Sequence, residues 1–226
     1  MKTNTAFNIN SGNVYAPARV NRRCARGEQP GVLTDIYEED TNIVIWQRKL
    51  PSSISAAVST LLSSKPDIQA AMTVAPESAL ASLSDYLGDD QPELVEDIAR
   101  LVDMFCCLFE LKRAGLRLTG LDRAMCPRFH VDKVPCRLVT TYHGVATQWL
   151  PHDLVDRSQL GVKAATAKHP IDPLSNSDSI QQLNSGDVAL LKGESWEGNE
   201  NAGLVHRSPA PPSGETRLLL TLDFMQ

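Results

Sequence analysis

Two spacings of apolar residues divide the chain. From Ser52 onward they recur at three- and four-residue intervals: Ile54, Val58, Leu61 and Leu62, then Leu80, Leu83 and Leu87 within Pro76–Leu87. That spacing predicts helices, since positions three and four apart share one helix face. The longest such stripe, Leu94, Ile98, Leu101, Phe105 and Leu108, predicts a helix from Gln91 to Ala114, capped by Asp90 and stopped by Gly115. From Leu116 the pattern becomes short β-rich runs: LRLTG, RFHVD, CRLVTTY, GDVALLKG, GLVH and RLLLTLDF, with Pro, Gly, Ser and Asn between them. Strands so short and so separated predict a sandwich or barrel instead of βαβ units. An earlier run, Thr41–Gln47, predicts one further strand.

Residues 1–35 show neither period and read as a weakly structured lead; 36–115 read as a mainly helical portion, and 116–226 as a β-domain. The polar stretch Asp153–Ser185 reads as a long loop. The expected class is therefore α+β, with an α-helical N-terminal portion packed on a C-terminal β-domain.

Composition narrows the chemistry. Among 226 residues the net charge is −5, which argues against nucleic acid or an anionic membrane as partner. The five cysteines include no CxxC pair, so a secreted disulfide scaffold is not expected, and no apolar run is long enough to span a bilayer. A cytoplasmic location follows as the expectation.

The most informative segment is Arg128-Phe129-His130-Val131-Asp132. Alternation along a strand points His130 and Asp132 to one face, and Phe129 and Val131 to the other. His206 ends the run GLVH, and two His with one carboxylate form the facial triad of non-haem Fe(II) oxygenases. Eleven residues later Arg217 opens RLLLTLDF; on an inward face it suits a dicarboxylate, and on an outward one it pairs with Glu215 or Asp223. His130 also reads as a core histidine, and Asp132 as a turn cap. Cys126 and Cys136 flank this segment and, with His130 or His206, offer a sulfur-containing zinc site. Cys106 and Cys107 read as buried apolar residues, Lys192 and Trp196 as structural or loop residues, and His143, His152 and His169 as surface residues.

From about Cys126 to Phe224 the chain resembles the double-stranded β-helix (jelly-roll, cupin-like) of Fe(II)- and 2-oxoglutarate-dependent oxygenases, in the prolyl-hydroxylase-like branch. Four blocks carry the resemblance in order: the HxD of His130 and Asp132; R-x-x-T-x-Y at Arg137–Tyr142 with the turn through Pro151; G-D-x5-G at Gly186–Gly193; and His206 with Arg217. Arg217 stands where that branch usually has lysine. The resemblance implies a hydroxylase-like activity on an unknown small-molecule or peptide substrate. It implies Fe(II) on His130, Asp132 and His206, and 2-oxoglutarate held at its distal carboxylate by Arg217 with Tyr142 or Thr140. Trp149 and Arg128 are implied to shape the substrate pocket. The whole chain also resembles a bacterial family, domain of unknown function 1826, associated with zinc homeostasis. Zinc is thus the alternative metal, and a cupin-like zinc-binding protein without oxygenase turnover the alternative function.

Overall fold

A computed structural model of the chain describes residues 21–88, 90–160 and 179–225. Its core is a seven-stranded sheet in the order β1-β2-β8-β5-β10-β4-β3. The strands are β1 (Arg23–Gly27), β2 (Thr41–Trp46), β3 (Gln69–Val74), β4 (Ala114–Leu121), β5 (Cys136–His143), β8 (Val188–Lys192) and β10 (Arg217–Phe224). All neighbours are antiparallel except β1 with β2. A smaller sheet has the order β7-β6-β9, from Gln181–Gln182, Gln148–Leu150 and Val205–Arg207.

Strand alternation places each residue in one of two layers. Val44, Leu138, Tyr142, Leu190, Leu218, Leu220 and Leu222 face α1 (Ser52–Ser64), α2 (Pro76–Leu87) and α3 (Pro92–Leu108) in the main core. Their sequence neighbours Ile43, Ile45, Val139, Ala189 and Leu191 turn the other way, joining Trp149, Leu183 and Leu204 from the side of the small sheet. The large sheet is therefore sandwiched between helices and the small sheet.

Several expectations change. The sheet is not confined to residues 116–226: β1, β2 and β3 come from the N-terminal portion and supply both of its edges. The lead is structured from Arg23 onward, where β1 is followed by a 3-10 turn at Pro30–Tyr37 that buries Leu33 and Ile36; its first twenty residues lie outside the described ones. In β1 only Ala25 is buried, so no alternation was there to read.

α3 buries Leu94, Ile98, Leu101 and Phe105 of the expected stripe, each full burial stabilising by about 1.5–3 kcal/mol, and leaves Leu108 half-buried; it begins at Pro92 behind Gln91 and ends at Leu108, not Ala114. Glu110 adopts a left-handed φ of 54°, Leu111 N–H donates to the Cys106 carbonyl at 2.8 Å, and Glu110 N–H to that of Cys107 at 3.4 Å. This is a Schellman closure with Glu where glycine is usual. Of the Asp153–Ser185 stretch, 161–178 lie outside the described residues; its ends form 3-10 turns at His152–Leu154 and Arg157–Gln159, and strand β7. Among the described residues no helix is long and apolar enough to cross a membrane.

Candidate metal and anion site

The segment around His130 is held by a single antiparallel bridge: His130 and His206 exchange both backbone hydrogen bonds at 3.0 Å. The expected alternation holds, with Phe129 and Val131 packing on Leu150 and Val205 while the rings of His130 and His206 meet at 4.6 Å between centroids. Asp132 completes the group. Its Oδ1 lies 3.7 Å from His130 Nε2 and its Oδ2 3.5 Å from His206 Nε2. The three donor atoms lie within 4.8 Å of one another, and among the described residues they are the group able to hold a metal ion.

The surroundings present those atoms to a metal. His130 Nδ1 lies 3.0 Å from the Arg128 carbonyl, and His206 Nδ1 3.2 Å from that of Leu204. A carbonyl only accepts, so each Nδ1 carries the proton and each Nε2 keeps its lone pair for a ligand. Burial pushes His206 down to about 4, so it is neutral at pH 7, as a metal ligand must be. Arg137 Nη1 donates to Asp132 Oδ2 at 2.7 Å, while its Nε and Nη2 grip the two oxygens of Asp223 at 2.7 and 3.0 Å. The Asp132 loop is pinned by Glu194 N–H to the Asp132 carbonyl and by Gly193 N–H to that of Pro135. A side chain at position 193 would meet the Val134 carbonyl oxygen at 2.0 Å.

On the same face lies an arginine with no acidic partner among the described residues. Arg217 is 0% exposed. Its Nη1 donates to Ser208 Oγ at 2.6 Å, and its Nη2 to Thr147 Oγ1 at 2.8 Å and Thr141 Oγ1 at 3.2 Å, while its Nε has no partner among the described residues. Burial lowers it to about 10. The surface pairing with Glu215 or Asp223 is not formed: Arg217 is buried and in no ion pair among the described residues, and Asp223 belongs to Arg137 and Arg117. Ser208 follows His206 by two residues, so alternation along the chain puts both on one side.

The structure does not bring Thr140 and Tyr142 to this group. Both face the helices: Tyr142 Oη donates to Asp97 Oδ2 at 2.7 Å, and Thr140 is wholly buried in the other layer. Thr141, between them, is the residue that touches Arg217, joined by Thr147 and Ser208, which sequence reasoning missed. The run CRLVTTY carries apolar or threonine side chains at both parities, so its pattern leaves the choice of face open.

Trp149 stands directly across from His206 in the small sheet and is buried, its Nε1 without a partner among the described residues. Arg128 has an exposed side chain and serves through its carbonyl. Cys136 faces the main core, its thiol pushed far up by burial, and Cys126 is exposed, so no cysteine joins the metal group. Cys106 is buried as expected, whereas Cys107 is exposed. His143 is exposed, His152 is half-buried with Nδ1 3.1 Å from Arg157, and His169 lies outside the described residues.

A search of curated proteins finds no match. Among solved structures, the chain is similar to an auxin-oxidation dioxygenase from Arabidopsis thaliana in its 2-oxoglutarate complex (11% identity, 90% of this chain and 92% of that one, TM-score 0.47). It is also similar to a Shewanella oneidensis protein described as a putative oxygenase (9%, 89% and 89%, TM-score 0.49) and to a Pseudomonas putida prolyl-4-hydroxylase (13%, 87% and 97%, TM-score 0.41). The profile of the family described as protein of unknown function DUF1826 matches residues 27–223, and the chain belongs to that family.

Proposed function

We propose that this protein is a non-haem Fe(II)- and 2-oxoglutarate-dependent oxygenase, hydroxylase-like, acting in the cytoplasm on a small molecule or peptide. The observation that carries the reading is Arg217. A guanidinium held at 0% exposure by three hydroxyls costs desolvation free energy that no carboxylate among the described residues offsets. A ligand carboxylate would offset it, and two forked N–H groups recognise one better than an ammonium does. A zinc carrier has no use for such a cation.

The residues divide the work. His130, Asp132 and His206 would hold the metal through Nε2, a carboxylate oxygen and Nε2. Bound there, iron with 2-oxoglutarate supplies oxidative C–H hydroxylation. Arg137 would orient Asp132 through the ion pair at 2.7 Å. Thr141, Thr147 and Ser208 accept from Arg217 and so leave their own hydroxyl protons free to donate to the ligand carboxylate. Trp149 lines the wall beside His206, a position from which its unpartnered N–H would select substrates.

The test is anaerobic addition of Fe(II) and then 2-oxoglutarate to metal-free protein, followed by the visible charge-transfer band of the chelate. The band is expected in the wild type and absent in His206→Ala. In Arg217→Ala the 2-oxoglutarate Kd should rise at least 100-fold, with Fe(II) affinity within threefold. Tight zinc binding with no band under any condition would transfer the assignment to the zinc protein.

A further inference from the structure

Behind the large sheet, on the face turned away from His130, Asp132 and His206, a pocket of about 890 Å³ opens between Arg22, Tyr37, Phe109, Lys192, Trp196 and Phe224. Lys192 pairs with Cys136 in the β5–β8 register and so faces the helix layer, opposite its neighbour Leu191. Two features set the pocket apart. The chain has twelve Phe, Trp and Tyr residues, and four of them line this cavity. They touch in a continuous wall: Tyr37 to Trp196 at 5.5 Å between centroids, Trp196 to Phe109 at 6.0 Å, Phe109 to Phe224 at 4.9 Å.

The second feature is charge. Lys192 is 2% exposed and Arg22 8%, and neither is in an ion pair among the described residues. The Lys192 ammonium donates to the Glu38 carbonyl at 3.0 Å and lies 4.8 Å over the Trp196 ring, leaving N–H bonds for another acceptor. Arg22 spends Nε on Asn199 Oδ1 and Nη2 on the Gly198 carbonyl. Burial, reinforced by Arg22, lowers Lys192 to about 8, as expected of a cation without an anion beside it. The pocket's acids, Glu39, Asp40 and Glu197, stand at the exposed rim, and Asp40 is engaged by Arg23 at 2.9 Å. An aromatic wall with an acidic rim suits a cation in other settings. Here the face of Trp196 already carries one, and a second would meet Lys192 and Arg22 in a low dielectric.

We propose that this pocket is a second ligand site, separate from the metal group, that binds a small aromatic carboxylate, its anionic end on Lys192 and Arg22 and its ring on Trp196, Phe109 and Tyr37. The inference does not rest on the oxygenase reading.

Benzoate is the probe, titrated calorimetrically into the full chain at pH 7. Saturable one-to-one binding is expected, weakened at least tenfold in Lys192→Met and in Trp196→Leu and unchanged within twofold in Arg217→Ala. In the wild type, benzoate should also protect Lys192 from trinitrobenzenesulfonate, read by peptide mass, which needs no variant to fold. Absence of saturable binding overturns the proposal. So does binding lost in Arg217→Ala but kept in Lys192→Met, which would put benzoate at the other site. Competition by inorganic phosphate at equal concentration would overturn the aromatic class.

Discussion

His206 shows how one side chain ties the candidate site to stability. Its value of about 4 lies below the ordinary 6.5 because burial disfavours the imidazolium. Below pH 6.5 the unfolded chain takes up the proton that the folded one refuses, so stability falls as pH drops. The metal-free protein should lose stability as the pH falls from about 6.5 towards 4. His206→Gln, which keeps a polar side chain without the titration, should flatten that slope. Melting curves of both proteins at half-unit pH steps check this. His130, Asp132, His206 and Arg217 could be singled out in the sequence, because few side-chain types suit a metal or a carboxylate. Thr141, Thr147 and Ser208 could not, because hydroxyls are common in any sequence and only contact with Arg217 singles these out.

Elements were legible where their side chains differ between two faces. α1 buries Ile54, Val58 and Leu61 of its stripe, α2 buries Leu83 and Leu87 but leaves Leu80 exposed with Ala79 inward instead, and β10 opens at Arg217 as its run suggests. β3 escaped notice because two of its six residues are alanine, too small to mark a face. The C-terminus of α3 escaped because Glu110, not glycine, occupies the left-handed position. Glu110→Gly should relieve that conformation and, after the entropy that glycine loses on folding, stabilise the protein by about 0.5 kcal/mol, seen as a higher urea midpoint. Gly144 is the opposite case. At φ 80° it lies under the next strand, where a Cβ would come within 3.2 Å of Arg217 Cα. Gly144→Ala should therefore displace Arg217, costing stability and raising the 2-oxoglutarate Kd, whereas Gly88→Ala, also at positive φ but in open space, should cost stability alone.

Across the molecule the helix layer is bound to the sheet at one buried carboxylate. Asp97 on α3 accepts from Arg48 Nη1 and Nη2 at 2.7 and 2.9 Å, from Tyr142 Oη at 2.7 Å, and from Arg100. Burial alone would raise its carboxyl, but Arg48 and the Tyr142 hydroxyl hold it below the ordinary value. Asp97→Ala strands Arg48 and should cost about 3–5 kcal/mol, lowering the urea midpoint with little change in the m-value. Nothing in the helical stripe announces this role: an acid beside Ile98 reads as a solvated edge until Tyr142 and Arg48 arrive from distant parts of the chain. Periodicity along the sequence is a local property, so the helices and most strands could be read from it directly, and the candidate metal ligands from their residue types. Strand order, the joining of N-terminal strands to both sheet edges, the face on which each side of β5 lies, and the pocket around Lys192 depend on which segments meet. That is settled by burial and hydrogen bonding between residues far apart in sequence, and only the folded chain contains it.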